Sequence, residues 1–282
     1  MAQQAWSGKT GGTHWMQRTL VGLIRHTDIR VAYSAMHLWL IWYILIRAEA
    51  RHGAYVFHRR RGRNRLQAAA DVYRSFYHFG QAIIDRFAVY AGEPFEVTVE
   101  NRELYYDRVH DAKGFIMLFS HIGNTEMAGY FLTTPDKRLH ILAYGGESPV
   151  VTAHRQEVLS RNNIGMILVQ PNDMSHIYRI NEVLQQGDIL AMAADRRMGD
   201  TTVTCPVMGA DAPFPAGPFR ICRATRQTVL LVFVLKQGPR SYRVTVEQLQ
   251  PDKTLEQQYA QRLEQMALSH PYEWFNLYDF WH

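Results

Sequence analysis

The stretch IMLFSHIGNTEMAGY, residues 116–130, decides how this chain folds. A run of uncharged apolar residues stops at Ser120; a histidine follows, then four residues, then a glutamate, and small and apolar residues resume. A short continuous apolar run that ends in polar residues reads as a strand buried on both faces, the kind found inside parallel sheets. The polar residues then form the loop at the strand's carboxyl end, where open α/β sheets bind their ligands. His121 stands at that edge, and Glu126 falls in the first turn of the next helix if that helix starts near Asn124 or Thr125. A carboxylate folded back onto the imidazole would fix its tautomer, and the other ring nitrogen could take a proton from a hydroxyl or amine nucleophile. A capped loop with an incidental histidine fits the same spacing.

Working outward, further strand candidates follow FEVTVE (95–100): GFIMLFS (114–120), RLHILAY (138–144), GMILVQ (165–170) and DILAMAA (188–194). Residues 148–163 and 173–187 read as crossover helices, the second capped by Asn172 or Asp173 and closed at Gly187. TVLLVFVLK (228–236) and SYRVTVEQL (241–249) flank QGPR as a hairpin, and residues 254–270 form a final helix before the aromatic tail PYEWFNLYDFW. Strands alternating with helices predict an α/β class, with a mostly parallel sheet flanked by helices.

Before residue 93 the pattern is helical. Residues 66–91 carry apolar residues at helical spacing and stop at Gly92 and Pro94. The uncharged segment VAYSAMHLWLIWYILI (31–46) is a hydrophobic helix of about 24 Å, short of the roughly 30 Å needed to cross a bilayer. The first 65 residues hold 11 Lys or Arg against 2 acidic residues, whereas the rest hold 20 against 24. Basic residues flank the apolar segment on both sides, so charge gives no spanning orientation and favours a helix lying in an anionic leaflet. The Trp- and Leu-rich centre of this basic region argues against nucleic acid. No cleaved signal peptide is expected, because no small-residue cleavage site follows the apolar run. The chain thus divides into a hydrophobic helical membrane element over residues 1–92 and an α/β domain over residues 93–282. WSGKTGG, near the start, lacks the first glycine of a phosphate loop. Two cysteines, Cys205 and Cys222, with no metal-ligand spacing, indicate neither a disulfide framework nor a metal site.

Two later stretches could hold a substrate. MAADRRMGD (192–200) puts Asp195, Arg196 and Arg197 at another strand's carboxyl end, where guanidiniums suit a phosphate or other oxyanion. GADAPFPAGPFRICRATR (209–226) joins a loop stiffened by Pro213, Pro215 and Pro218 to a short basic helix starting near Gly217 and Pro218, which would present free N–H groups. A solvated turn and a rigid connector are the alternatives for these stretches.

Taken in order, His121-x-x-x-x-Glu126, AADRRMG, APFPAGPFRICRAT and HPYEWFNLYDFW resemble the lipid A lauroyl/myristoyl acyltransferase branch of the lysophospholipid acyltransferases, over nearly the whole chain. The resemblance implies transfer of a fatty acyl group from an acyl carrier protein or coenzyme A thioester to a lipid hydroxyl or amine, at the cytoplasmic face of the inner membrane, without cofactor, metal or covalent acyl-enzyme. It implies that His121 is the base and Glu126 its partner. It further implies that Asn124, Asp195, Arg196, Arg197, Phe214, Pro215, Gly217, Pro218 and Arg220 bind substrate. The ending YEWFNLYDFW is less basic than is usual in lipid A enzymes, which leaves the acceptor open between lipid A-like and other bacterial lipids. A non-catalytic acyl-lipid binding protein and a thioester or lipid hydrolase are the competing readings. An intact His121 and Glu126 disfavour the first, and the lack of a G-x-S-x-G elbow around Ser120 disfavours the second.

Overall fold

The computed structural model of the chain describes residues 22, 24, 26–90, 92–144, 159, 163–170, 173–197 and 201–281. The part before the sheet contributes helices α1 (Ile29–Ile46), α2 (Ala48–Arg60) and α3 (Arg65–Tyr90). Asp28 caps α1 by accepting from the Arg30 amide at 2.8 Å. One face of α1 buries Ile29, Ala32, Tyr33 and Leu40 against α3 residues that include Val72, Phe76 and Ile84. Its other face leaves Leu38, Trp39, Ile41, Trp42, Leu45 and Ile46 more than half exposed. Helix α2, read in the sequence only as a basic flank, lies on the C-terminal tail through Phe57 and Trp274, whose rings meet edge to face at 4.9 Å. WSGKTGG lies outside the described residues.

The α/β part runs β1 (Glu96–Glu100), α4 (Arg102–His110), β2 (Phe115–Phe119), a 3₁₀ turn (Thr125–Met127) with α5 (Ala128–Phe131), β3 (Leu139–Tyr144), β4 (Ile164–Val169), α6 (Ser175–Gln185) and β5 (Ile189–Ala193). It continues with β6 (Thr202–Val207), β7 (Ala210–Pro215), α7 (Ala216–Thr225), β8 (Val229–Gly238), β9 (Ser241–Leu249) and α8 (Leu255–Ser269). Seven strands form one sheet in the order β1-β9-β8-β2-β5-β3-β4, and every neighbouring pair is parallel except the β8–β9 hairpin. The α/β class, the mostly parallel sheet and the apolar N-terminal helix are therefore as the sequence pattern indicates. Most of the crossover expected over residues 148–163 lies outside the described residues.

Strand β2 is central and buried along its length because both sheet faces are covered. Ile116 and Leu118 join the core formed with α6, α7, α8 and the aromatic tail, whereas Phe115, Met117 and Phe119 join the core on the opposite face. One expectation needs correction. Residues 210–215 are not a loop but strand β7, paired antiparallel with β6 in a separate two-stranded ribbon. Its prolines are tolerated because a two-stranded ribbon has free edges, where a missing N–H breaks no ladder.

Candidate active site

Strands β2 and β5 lie side by side with Phe119 opposite Ala193, and the Ala194 amide donates to Phe119 O at 3.0 Å. The next residues along each strand end, His121 and Asp195, consequently meet. The His121 amide donates to Asp195 Oδ2 and the ring contacts Asp195 Oδ1 through Nδ1, each at 2.7 Å. A carboxylate only accepts, so the proton of neutral His121 sits on Nδ1 and the lone pair on Nε2. Asp195 is 1% exposed, while the His121 side chain keeps 31% of its surface open. Burial, followed by the nearby Arg196 charge, pushes the His121 pKa down against the pull of Asp195, so the ring stays neutral near pH 7. For Asp195, burial would raise the pKa, but His121 and Arg196 together outweigh it and hold the carboxyl below its ordinary value.

The loop carrying His121 is stitched to the C-terminal tail and to β8. Phe275 N donates to His121 O and Gly123 N to Glu273 O, both at 2.8 Å, and Ile122 bridges to Trp274. The Asn124 amide donates to Val234 O at 2.8 Å. Gly123 has φ +69, and a Cβ there would run into Val234 O, so both the backbone turn and the close approach require glycine. Glu273, 7% exposed, accepts from Lys236 N at 3.0 Å, and burial raises its pKa to about 7 against the lowering effect of Lys236. Ser120 is buried, with its hydroxyl accepting from the Ile122 amide at 3.3 Å, so it is not displayed as a nucleophile.

The sequence points to Glu126 as the carboxylate partner of the His121 ring, whereas the carboxylate in contact with the ring is that of Asp195, at Nδ1. The 3₁₀ turn aims Glu126 toward α3, where Arg86 Nη1 holds it at 2.6 Å, and its negative charge acts on the imidazole as a weaker field. Asn124 is 7% exposed and spends its side-chain N–H groups on Ala82 O at 3.0 Å and the Tyr242 hydroxyl at 3.2 Å, so it braces the loop. Arg196 turns inward to donate to Phe275 O at 2.7 Å, whereas Arg197 is half-buried beside it. Phe214 is not a pocket wall: it is fully buried, edge to face with Phe219, Tyr259 and Phe280.

Pro215, extended, leads into α7, and the Ala216 amide donates to Thr201 O at 3.1 Å. The ribbon thereby returns the start of α7 to the chain leaving β5, with Gly217 and Arg220 exposed and Pro218 half-buried. Sequence reasoning missed Arg86, Lys236, Tyr242, Glu273 and Phe275 around this site. The tail aromatics were visible as a motif, but nothing in the sequence says that their backbone holds the His121 loop.

Together these contacts set a half-exposed imidazole on a buried carboxylate at the carboxyl edge of the sheet, a pairing capable of acid–base chemistry. The sequence pattern of the bacterial lipid A biosynthesis acyltransferases matches residues 72–282. The chain is an acyltransferase acting on lipids. It belongs to the bacterial lipid A biosynthesis acyltransferase family, in agreement with the ordered motifs. Among solved structures it is similar to the 1-acyl-sn-glycerophosphate (LPA) acyltransferase PlsC from Thermotoga maritima, with 13% identity over 86% of this chain and 96% of that one and a TM-score of 0.41. No curated protein matches the chain.

Proposed function

We propose that this chain transfers a fatty acyl group from an acyl carrier protein or coenzyme A thioester to a hydroxyl or amine of a lipid acceptor, lipid A-like or another bacterial lipid. His121 is the general base. The observation that carries this reading is the pair of 2.7 Å contacts between His121 and buried Asp195, which leave Nε2 as the basic nitrogen. Nε2 takes the acceptor's proton as its oxygen or nitrogen attacks the thioester carbonyl. The tetrahedral intermediate then collapses, the carbon–sulfur bond breaks, and the imidazolium returns the proton to the leaving thiolate. Asp195 stabilises that imidazolium directly, and Glu126 adds a second negative charge from the Arg86 side. The thioester supplies the activated acyl group, so the proposed reaction uses no cofactor and no metal.

Arg197, the Gly217 amide in the first turn of α7, which Pro218 stiffens, and Arg220 present donors and positive charge suited to a substrate phosphate. Arg196, Asn124, Phe214 and Pro215 shape the site from behind. The exposed apolar face of α1, followed by Arg47 and Arg51, supports seating in an anionic membrane surface, which we assign to the cytoplasmic face of the inner membrane. The test incubates membranes holding wild-type or His121→Ala protein with labelled acyl thioesters and a panel of lipid acceptors, with products identified by mass spectrometry. Wild-type protein should form an acylated lipid and the variant should not. Acylation that survives in the variant would rule out His121 as the base.

A further inference from the structure

Beneath the His121 loop lies a buried polar cluster centred on Asp85 of α3, which is fully buried. Its carboxylate accepts from the hydroxyl of Tyr33 on α1, the hydroxyl of Tyr242 on β9 and Nζ of Lys236 on β8. Lys236 Nζ also donates to the Tyr33 hydroxyl at 3.0 Å. Tyr242 in turn receives the Asn124 side-chain N–H at 3.2 Å, and Asn124 also donates to Ala82 O, one turn before Asp85 on the same helix. Lys236 reaches the loop by a second route, because its amide donates to Glu273, whose backbone carbonyl accepts from Gly123. Burial first, and then the Asp85 charge, push the Tyr242 pKa well up, so its hydroxyl keeps its proton and remains a donor to the carboxylate.

A charge held this deep is costly unless every partner is in place, so the cluster has one low-energy arrangement, and groups bonded to it share that geometry. Three of the elements it joins position the active-site loop; the fourth is the helix whose outer face is apolar and exposed. We infer that Asp85 is a positioning residue for the transfer proposed above: through Tyr242 and Asn124 it fixes the loop that carries His121, and through Tyr33 it makes that loop depend on the seating of α1. A chain whose α1 is displaced from α3 would lose a donor to Asp85 and with it the fixed position of Asn124. Membrane seating and catalytic geometry would thus be coupled by one shared carboxylate.

Asp85→Asn risks misfolding, so the test uses Tyr33→Phe and Tyr242→Phe, which keep ring packing and remove one donor each. Tyr73→Phe is the control, since Tyr73 contacts His37 of α1 at 2.5 Å outside the cluster. Two readouts are taken on full-length protein in membranes: the rate at which diethyl pyrocarbonate modifies His121, by peptide mass spectrometry, and kcat and KM for acyl transfer. Both cluster variants should change the His121 modification rate about threefold or more and lower kcat about fivefold or more at little-changed KM, with Tyr73→Phe like wild type. The double variant Tyr33→Phe/Tyr242→Phe should fall short of the product of the single effects. Wild-type modification rates and kcat in Tyr33→Phe, with only a lowered Tm, would overturn the inference and leave the cluster a stability feature. If wild-type protein forms no acyl-lipid while Tyr33→Phe still alters His121 reactivity, the coupling is upheld and the proposed reaction alone fails.

Discussion

Replacing Asp195 by Asn tests the site chemistry most sharply, because the structure dictates how the new amide must sit. Asp195 uses one oxygen for the His121 amide and the other for the ring, both at 2.7 Å. The His121 amide is a fixed donor, and leaving it without an acceptor in this buried position costs about 1–3 kcal/mol. The Asn oxygen therefore faces that amide, and its NH₂ group faces Nδ1. Nδ1 must then accept, which moves the ring proton to Nε2 and removes the lone pair that the proposed mechanism uses as the base. The variant also lacks the negative charge that stabilises the imidazolium, worth about 4 kcal/mol at an effective dielectric of about 20, or roughly three powers of ten in rate. Tautomer and charge act on the same step, so kcat should fall about 10³- to 10⁴-fold with little change in KM. The assay is the initial rate of labelled acyl transfer at saturating thioester, on protein whose thermal unfolding matches wild type. A kcat within about threefold of wild type would refute the assignment of Asp195 as the residue that orients the base.

Further outcomes follow from the same geometry. In the proposed mechanism the neutral imidazole is the active form, and its pKa is depressed by burial and Arg196, so kcat/KM should be flat near neutrality and fall only as pH drops through a midpoint below the ordinary histidine value of 6.5; a midpoint above that value contradicts the site electrostatics. Gly53→Ala places a Cβ against the Tyr278 backbone, which cannot move as a side-chain tip would, and should cost about 1–3 kcal/mol, read as a lower Tm; an unchanged or raised Tm means that α2 does not rest on the tail. Trp39 and Trp42, 75% and 66% exposed, contribute little to the protein's own packing. Trp39→Glu/Trp42→Glu should leave Tm near wild type while lowering flotation with anionic vesicles about tenfold or more, and undiminished flotation would remove α1 as the membrane-seating surface.

Much of the frame could be read from local pattern. The uncharged run ending at Ser120 is β2, and QGPR joins the β8–β9 hairpin, because strand burial and turn chemistry are written in neighbouring residues. The pairing of His121 with Asp195 could not be read that way. The two residues are 74 positions apart and meet only because β5 docks beside β2, a consequence of strand order that spacing does not encode. Glu126 looked like the partner because it is near in sequence, yet a 3₁₀ turn carries it toward Arg86. Phe214 looked like pocket lining because it sits between prolines, and ribbon pairing instead turns its ring into the core. The Asp85 cluster was invisible for a related reason: its members come from four elements, and none of them stands in a recognisable motif.

The central claim is that the acyl group passes from a thioester to a lipid by a step that His121 promotes. It is tested most directly by measuring, in one reaction, the thiol released from a labelled acyl thioester and the acylated lipid formed, for wild-type and His121→Ala protein. The account predicts one acyl-lipid for each thiol released in wild type and neither product above background in the variant. Thiol release without acyl-lipid in wild type, or undiminished transfer by His121→Ala, would contradict it.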